Sequence, residues 1–439
     1  MQDCPIGARF SSCAFLFFSL SLSVHNSTFC MRKILTIMKK KLLLVTGAGA
    51  SIDFGFPSVK CVDKILEDKA EEYVNMPFYK LISNPYTYLK EQAGRKFDGS
   101  EFTYEELLYL MELIESSQMP CLSAPTSKLF PLAPEFCRLY AKCYSGLRAE
   151  LIDELLEKIR NHAKTWKNNQ DIVTKFNKFK HFLLHEIGKD YDISFVTTNY
   201  DNILTEIFPD PNTGFDETGV FQRAQLYNDL RWNKGIYLHG SVHFDMEERP
   251  SGGLHKIYWK DNLNSRFEHN AFGRSGMYTT EGNQILSSVI IAGLDKTNQI
   301  LKEPFLQYYM MLDRLAFEAD AILFIGYGFN DWHLNSVFSF LGEGGKNTKK
   351  IVIIDYKNEY DEEDPMELSY TEGWNNRVCR TLPFNYKNLV NDKGVSATPK
   401  DLKEWKELEY SKDDNYPIAL WYDGLISACD HADKIMDRL

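Results

Sequence analysis

Lys41-Leu42-Leu43-Leu44-Val45-Thr46-Gly47-Ala48-Gly49-Ala50-Ser51 joins an apolar run to a turn built only of small residues. Leu42 to Val45 shows no alternation, the pattern of a strand buried on both faces. The small residues from Gly47 to Ser51 let backbone N–H groups come close to a bound phosphate, and a helix starting just after would add its positive end. The same residues also serve an ordinary strand-to-helix turn, so the stretch alone leaves both readings open.

Two common nucleotide signatures are excluded. Gly47 and Gly49 fit the first two glycines of G-x-G-x-x-G, but the third position holds Ile52. No second strand ending in an acidic residue follows within about twenty residues; Val59 to Tyr73 is charged and has a helical period. There is no G-x-x-x-x-G-K-[ST] loop, which argues against ATP or GTP hydrolysis.

With 439 residues, the chain has room for two or three domains or one large α/β domain with insertions. It is 44% hydrophobic and 14% aromatic, enough for a large core. A net charge of −11 disfavours direct nucleic-acid binding, and the short basic cluster Lys346 to Lys350 reads as a solvated turn. Nine cysteines include no C-x-x-C pair, and none lies between Cys143 and Cys379. This fits a reducing compartment, hence a cytoplasmic location, and excludes a four-cysteine zinc module in mid-chain.

Cys13 to Val24 is an apolar run of about a dozen residues, too short to span a bilayer. With Arg9 before it, it loosely resembles a signal peptide, but no small-x-small cleavage site follows. Met38 precedes Lys39-Lys40-Lys41 and the buried strand. Residues 1–37 are therefore expected to be an N-terminal extension outside the fold, with no membrane span. The catalytic domain is expected over 38–356, and an α-rich extension packed on the core over 357–439.

Val59 to Gly188 reads as mostly helical, a large insertion over about 60–190. Thr103-Tyr104-Glu105-Glu106 has capping-box spacing, and Leu107, Leu110, Met111 and Ile114 mark one helix face. Leu147, Leu151, Leu155 and Ile159 mark a second face; Phe176, Phe179, Phe182 and Leu183 mark a third. Buried strands follow at Ile193 to Thr197, Gly235 to Leu238, Ala321 to Ile325 and Lys350 to Ile354. Gly214 to Lys234 reads as irregular, with shorter strands at Ile257 to Trp259 and Ser288 to Ala292. Helices are expected at Glu303 to Ala319, at Trp332 to Leu341 with Asp331 as N-cap, and at Leu425 to Leu439. The acidic run Asp361 to Asp364 reads as a loop.

The apolar strands end in Gly-Ala-Gly-Ala-Ser, Thr198-Asn199-Tyr200-Asp201, His239-Gly240, Gly326-Tyr327-Gly328 and Asp355. An open, Rossmann-like parallel α/β sheet brings such ends to one edge, where ligands bind at a topological switch point. Singly, Asn199 and Asp201 read equally well as a helix cap, and His239 as a satisfied buried histidine. Together the groups suit cleavage of a nicotinamide–ribose bond. His239 can act as general base, worth about 10²–10⁴ in rate. Asn199 can orient a ribose and a water. Asp201 can grip the nicotinamide carboxamide, and Asp355 can accept from adenosine ribose hydroxyls.

These residues, in this order, resemble the sirtuin family. Gly47 to Ser51 is similar to its Gly-Ala-Gly-x-Ser loop, Thr198 to Asp201 to its Gln-Asn-Ile-Asp segment, and His239-Gly240 to its catalytic His-Gly. Gly326-Tyr327-Gly328 resembles its later glycine turn on the NAD phosphates. The likeness runs in short islands between Leu42 and Asp355, with departures. The two cysteine pairs of the zinc ribbon are missing, Asp53-Phe54-Gly55-Phe56-Pro57-Ser58 replaces Gly-Ile-Pro-Asp-Phe-Arg, and Thr198 replaces Gln. The pattern looks closer to the sirtuin-like NAD hydrolases of bacterial anti-phage defence.

That resemblance implies NAD+ as substrate, no zinc, and catalytic roles for Asn199, His239 and Asp201. It implies a dinucleotide held by Gly47, Ala48, Gly49, Ala50, Ser51, Asp53, Thr198, Gly240, Gly326, Tyr327, Gly328, Asp331 and Asp355. It also implies control by homo-oligomer assembly or by a partner such as a ring-forming, DNA-translocating ATPase or another sensor subunit. The alternatives are a protein deacylase or ADP-ribosyl transferase, and a non-catalytic subunit that binds NAD or ADP-ribose.

Overall fold

A computed structural model describes residues 39–95, 101–118, 134–246, 256–266, 277–278, 284–285, 288–293, 296–341, 349–357, 374–382 and 388–439. The expectations for residues 1–37 and for the acidic run 361–364 lie outside the described residues.

Strand β1 (Lys40–Thr46) carries Leu42 to Val45 with no exposure at all, because neighbouring strands flank it and both of its faces are covered. Gly47 then leads into a 3-10 turn, Ala48–Phe54, closed by Gly55 at φ 81°. A short turn thus stands where a phosphate-facing helix was one reading. Helices α1 (Val59–Val74), α2 (Pro85–Ala93), α3 (Tyr104–Gln118), α4 (Pro134–Thr165) and α5 (Gln170–His181) follow before the chain returns to the sheet. The α4 stripe Leu147, Leu151, Leu155 and Ile159 is buried, as its spacing predicts. At the start of α3, the Thr103 N–H and hydroxyl both donate to Glu106 Oε2, at 2.7 and 3.0 Å.

The chain then runs through β2 (Tyr191–Thr197), α6 (Ile203–Ile207), α7 (Arg223–Asn228), β3 (Gly235–Tyr237), and the antiparallel pair β4 (Phe244–Met246) and β5 (Ile257–Trp259). Next come β6 (Met277–Tyr278), β7 (Gln284–Ile285), α8 (Thr297–Ile300), α9 (Phe305–Glu318), β8 (Ala321–Ile325), α10 (Trp332–Val337) and β9 (Lys350–Ile354). Last are α11 (Trp374–Thr381), β10 (Leu389–Val390), α12 (Pro399–Trp405), β11 (Glu409–Ser411), β12 (Ile418–Trp421), α13 (Gly424–Asp430) and α14 (Ala432–Met436).

Among the described residues, eight strands form one sheet in the order β10-β11-β12-β9-β8-β1-β2-β3. β1 pairs in parallel with β2 on one side, in register from Lys40 opposite Tyr191 to Thr46 opposite Thr197, and with β8 on the other. β3, β9 and β12 extend the parallel set, and β11 runs antiparallel to its neighbours. The chain builds outward from β1 to β3, then crosses to β8 and builds the other way. The reversal lies between β1 and β8, so the α/β fold has its switch point where the turns after Thr46 and Ile325 meet.

The structure departs from the expected reading in four places. The tail beyond Asp355, expected to be α-rich, also supplies three strands of the main sheet. Ile418-Ala419-Leu420-Trp421 pairs with Ile351 to Ile354, and a four-residue apolar run carries no period that separates strand from helix. The closing helix is two short ones, broken at His431. Arg223 to Asn228 is helical inside the stretch read as irregular. Ser288 to Ala292 makes only a bridge, Ile290 to Gly240.

Candidate active site

The glycine turns after β1 and β8 interlock. Gly47 N–H donates to Ile325 O at 3.1 Å, Gly49 N–H to Gly326 O at 3.0 Å, and Ala50 N–H to Gly47 O at 2.9 Å. Gly326 sits at φ 57°, and a Cβ there would lie 2.1 Å from Ala50 N and 2.3 Å from Gly49 C. Two N–H groups of the first turn therefore hold the two turns together, and a third, from Ala50, closes the first turn on itself.

The loop after β2 locks onto the same turn. Asn199 Nδ2 donates to Gly47 O at 2.8 Å and to Ser51 Oγ at 2.9 Å. Ser51 Oγ in turn donates to Asp201 Oδ2 at 2.5 Å, and Asp201 Oδ1 accepts the Ile203 N–H at 2.9 Å. The segment is pinned from behind as well, since Tyr200 OH donates to Ile291 O at 2.8 Å and Trp166 Nε1 to Asn202 Oδ1 at 3.2 Å. Such second contacts keep a polar loop in one geometry. Burial raises the Asp201 carboxyl above its usual range, opposed by the Ser51 hydroxyl and the Ile203 N–H.

His239, at the end of β3, is 5% exposed and faces a charged cluster. Its Nε2 lies 2.7 Å from Asp331 Oδ2, and Lys296 Nζ lies 3.0 Å from the same oxygen. Glu105, from the first turn of α3, lies 3.8 Å from Lys296. Burial, with the Lys296 charge, lowers the His239 pKa. Burial alone would raise Asp331, but the hydrogen bonds and charges of His239 and Lys296 hold it well below the carboxylate range. Lys296 keeps its proton, because Glu105 and Asp331 outweigh the burial that opposes it.

These groups line one cleft of about 640 Å³, the size of a small-molecule site. Of the expected residues, Gly47, Ala48, Ser51, Thr198, Asn199, Asp201, His239, Tyr327, Gly328 and Asp331 line it. Both Asp331 oxygens are engaged, Oδ2 by His239 and Lys296, and Oδ1 by the N–H groups of His333 and Leu334 that it caps.

Six expected residues lie outside that lining. Gly49, Ala50 and Gly326 form the interlock. Asp53 is set among charges of α5, Lys175 and Asp171. Gly240 turns the chain at φ 102°, where a Cβ would meet Val289 O at 2.4 Å. Asp355 accepts the Tyr356 N–H at 2.8 Å, and burial pushes its carboxyl up to about 6.

Asp355 yields a pH prediction. A carboxyl held at about 6 when folded, against 3.8 otherwise, contributes stability that is complete below about pH 4 and lost as pH rises through 6. Asp355→Asn is expected to be about 1–3 kcal/mol more stable than the parent at pH 7, and to flatten the stability curve between those limits. Urea unfolding at several pH values checks this; parallel curves for the two proteins contradict it.

Sequence reasoning missed Lys296, Glu105 and Arg377 as cleft residues. Glu105 had only its place in a capping box as a signal. Lys296 sits in an aperiodic connection, and Arg377, whose Nε donates to Gly328 O at 3.1 Å, comes from the tail. Among the described residues, no group of three His, Cys, Asp or Glu side chains is placed to hold a metal ion. No helix among them is long and apolar enough to cross a membrane.

A search of curated proteins finds no match. Two distantly similar solved structures are a crystal structure of a Sir2 homolog–NAD complex and a Sir2 protein bound to a propionylated peptide. The first is 13% identical, covers 75% of this chain and 80% of its own, and has a TM-score of 0.32. The second is 11% identical, covers 78% and 93%, and has a TM-score of 0.31. Residues 193–379 match the family model of the SIR2-like domain, a span that takes in Asn199, His239 and Gly326 to Gly328 and begins after the Gly47 loop. The chain is thus similar to the SIR2-like domain over residues 193–379, less than half of its length.

Proposed function

We propose that the protein is an NAD+ hydrolase that cleaves the nicotinamide–ribose bond to give nicotinamide and ADP-ribose. The reading is carried by one observation: Asn199 and His239, from the ends of different strands, line a single cleft beside Gly47 and Gly328 at the switch point of the sheet. In the reaction the C–N bond breaks with its electron pair going to the nicotinamide ring, which leaves neutral and needs no acid. Water adds its oxygen to the ribose carbon and gives up a proton. His239, largely neutral at pH 7, takes that proton. Asn199, fixed by two donated hydrogen bonds, leaves its carbonyl oxygen to position the ribose and the water. Asp201 holds Ser51 and the turn before α6, and acts by fixing this geometry.

The setting we propose is the cytoplasm, where loss of NAD+ serves as an anti-phage response. An unrestrained enzyme of this kind would empty its own cell. The resting state is therefore gated by self-assembly or by a partner such as a ring-forming, DNA-translocating ATPase. Incubating purified protein with NAD+ at low and high concentration, with and without the protein encoded beside it, tests the reading. Equal amounts of nicotinamide and ADP-ribose are expected, rising with assembly. Nicotinamide release only with an acyl-lysine peptide, or NAD+ left intact throughout, would overturn it. Full activity of the dilute monomer would overturn the gating.

A further inference from the structure

No single sequence motif contains the cluster behind His239. Its members come from four places: His239 from the end of β3, Asp331 from the N-cap of α10, Lys296 from the residue before α8, and Glu105 from α3. His239, Asp331 and Lys296 are each less than a tenth exposed, and all four line the cleft. Asp331 is rigid, since its Oδ1 is committed to two backbone N–H groups at 3.0 and 3.2 Å. That leaves Oδ2 aimed at the imidazole, shared between His239 Nε2 at 2.7 Å and Lys296 Nζ at 3.0 Å.

We propose that Asp331 and Lys296 are positioning residues that fix the His239 tautomer, with Nε2–H donated to Asp331 and Nδ1 left as the proton acceptor. An ionised carboxylate accepts and cannot donate, so the nitrogen facing it must carry the proton. The Lys296 ammonium keeps Asp331 ionised and, as a second cation beside the ring, opposes a charged imidazolium. Glu105 shares that ammonium, so the helical insertion reaches the base through one buried lysine. The other titratable groups nearby, the phenols of Tyr104, Tyr200, Tyr309 and Tyr327, are kept neutral by burial. A general base needs a fixed free lone pair, and losing a tautomer-fixing carboxylate is a large kinetic effect in other enzymes.

Only the kinetic arm of the test rests on the NAD+ reading. Nitrogen-15 NMR of histidine-labelled full-length protein reports the tautomer directly, with His239→Gln identifying the signal among the ten histidines. The wild type is expected to show a protonated Nε2 and an unprotonated Nδ1 for His239. A protonated Nδ1 in the wild type would overturn the proposal without any variant. Asp331→Asn retains a capping side chain but removes the charge. It is expected to give a mixed tautomer, an NAD+ turnover at least about 10²-fold lower with KM little changed, and an acid limb moved to lower pH. Lys296→Met removes the cation, and its acid limb is expected to move to higher pH. Opposite movements separate positioning from a general loss of structure. Limbs that stay put, or move together, would overturn the proposal. A wild type with the expected tautomer but no nicotinamide release would overturn the NAD+ reading alone.

Discussion

Replacing His239 by alanine is expected to lower nicotinamide release about 10²–10⁴-fold, the range for loss of a positioned general base. The Asp331–Lys296 pair at 3.0 Å survives the change, so no buried charge is left without a partner. The residual rate should then lose the acid limb that the imidazole imposes. Asn199→Ala should fall comparably, for a different physical reason. Its amide donates two hydrogen bonds into the Gly47 turn, so its removal also costs about 1–2 kcal/mol of stability. His239→Ala should lower kcat with a near-normal unfolding midpoint, whereas Asn199→Ala should lower both. Unchanged turnover in both variants would remove the proposed chemistry.

The second large effect is structural. Gly326→Ala is expected to destabilise the protein by about 3 kcal/mol or more and to abolish activity with it. The left-handed φ alone would cost alanine only about 1 kcal/mol. The greater cost comes from the Cβ meeting the backbone of Gly49 and Ala50 at 2.3 Å or less, so the two glycine turns must separate. Gly394 supplies the control: its φ is 75°, and a Cβ there meets nothing within 4 Å. Gly394→Ala should cost only the conformational term. Urea midpoints for the two variants decide the matter, and a Gly326→Ala as mild as Gly394→Ala would contradict the interlock.

Much of the parallel sheet was legible in the sequence because its strands are continuous apolar runs. Ala321 to Ile325 and Lys350 to Ile354 coincide with β8 and β9, and their ends carry the polar groups. Strand order was not legible. Nothing in Ile193 to Thr197 or Ala321 to Ile325 says that both flank β1, yet that arrangement creates the switch point. The tail failed for a related reason, since Ile418 to Trp421 is too short for a period and is a strand only because β9 offers an open edge.

In the site, His239 and Asn199 were found because they stand immediately after buried strands. Lys296 was not, because its position depends on the path of a long connection between β3 and α8. Asp331 was read as a cap and, by resemblance, as a ligand contact; it does cap α10, and its other oxygen faces the histidine. Gly326 is expected by resemblance beside a phosphate, and its carbonyl accepts from Gly49. Close backbone approach is the need that glycine meets in either role, so the sequence cannot separate them.

The most direct test of the cleft is a structure with ADP-ribose, a product that the enzyme would bind without turning over. The ribose that carried nicotinamide is expected between Asn199 and His239, with the diphosphate beside Gly47 and Gly328. ADP-ribose bound elsewhere, or with that ribose turned away from both side chains, would contradict the assignment.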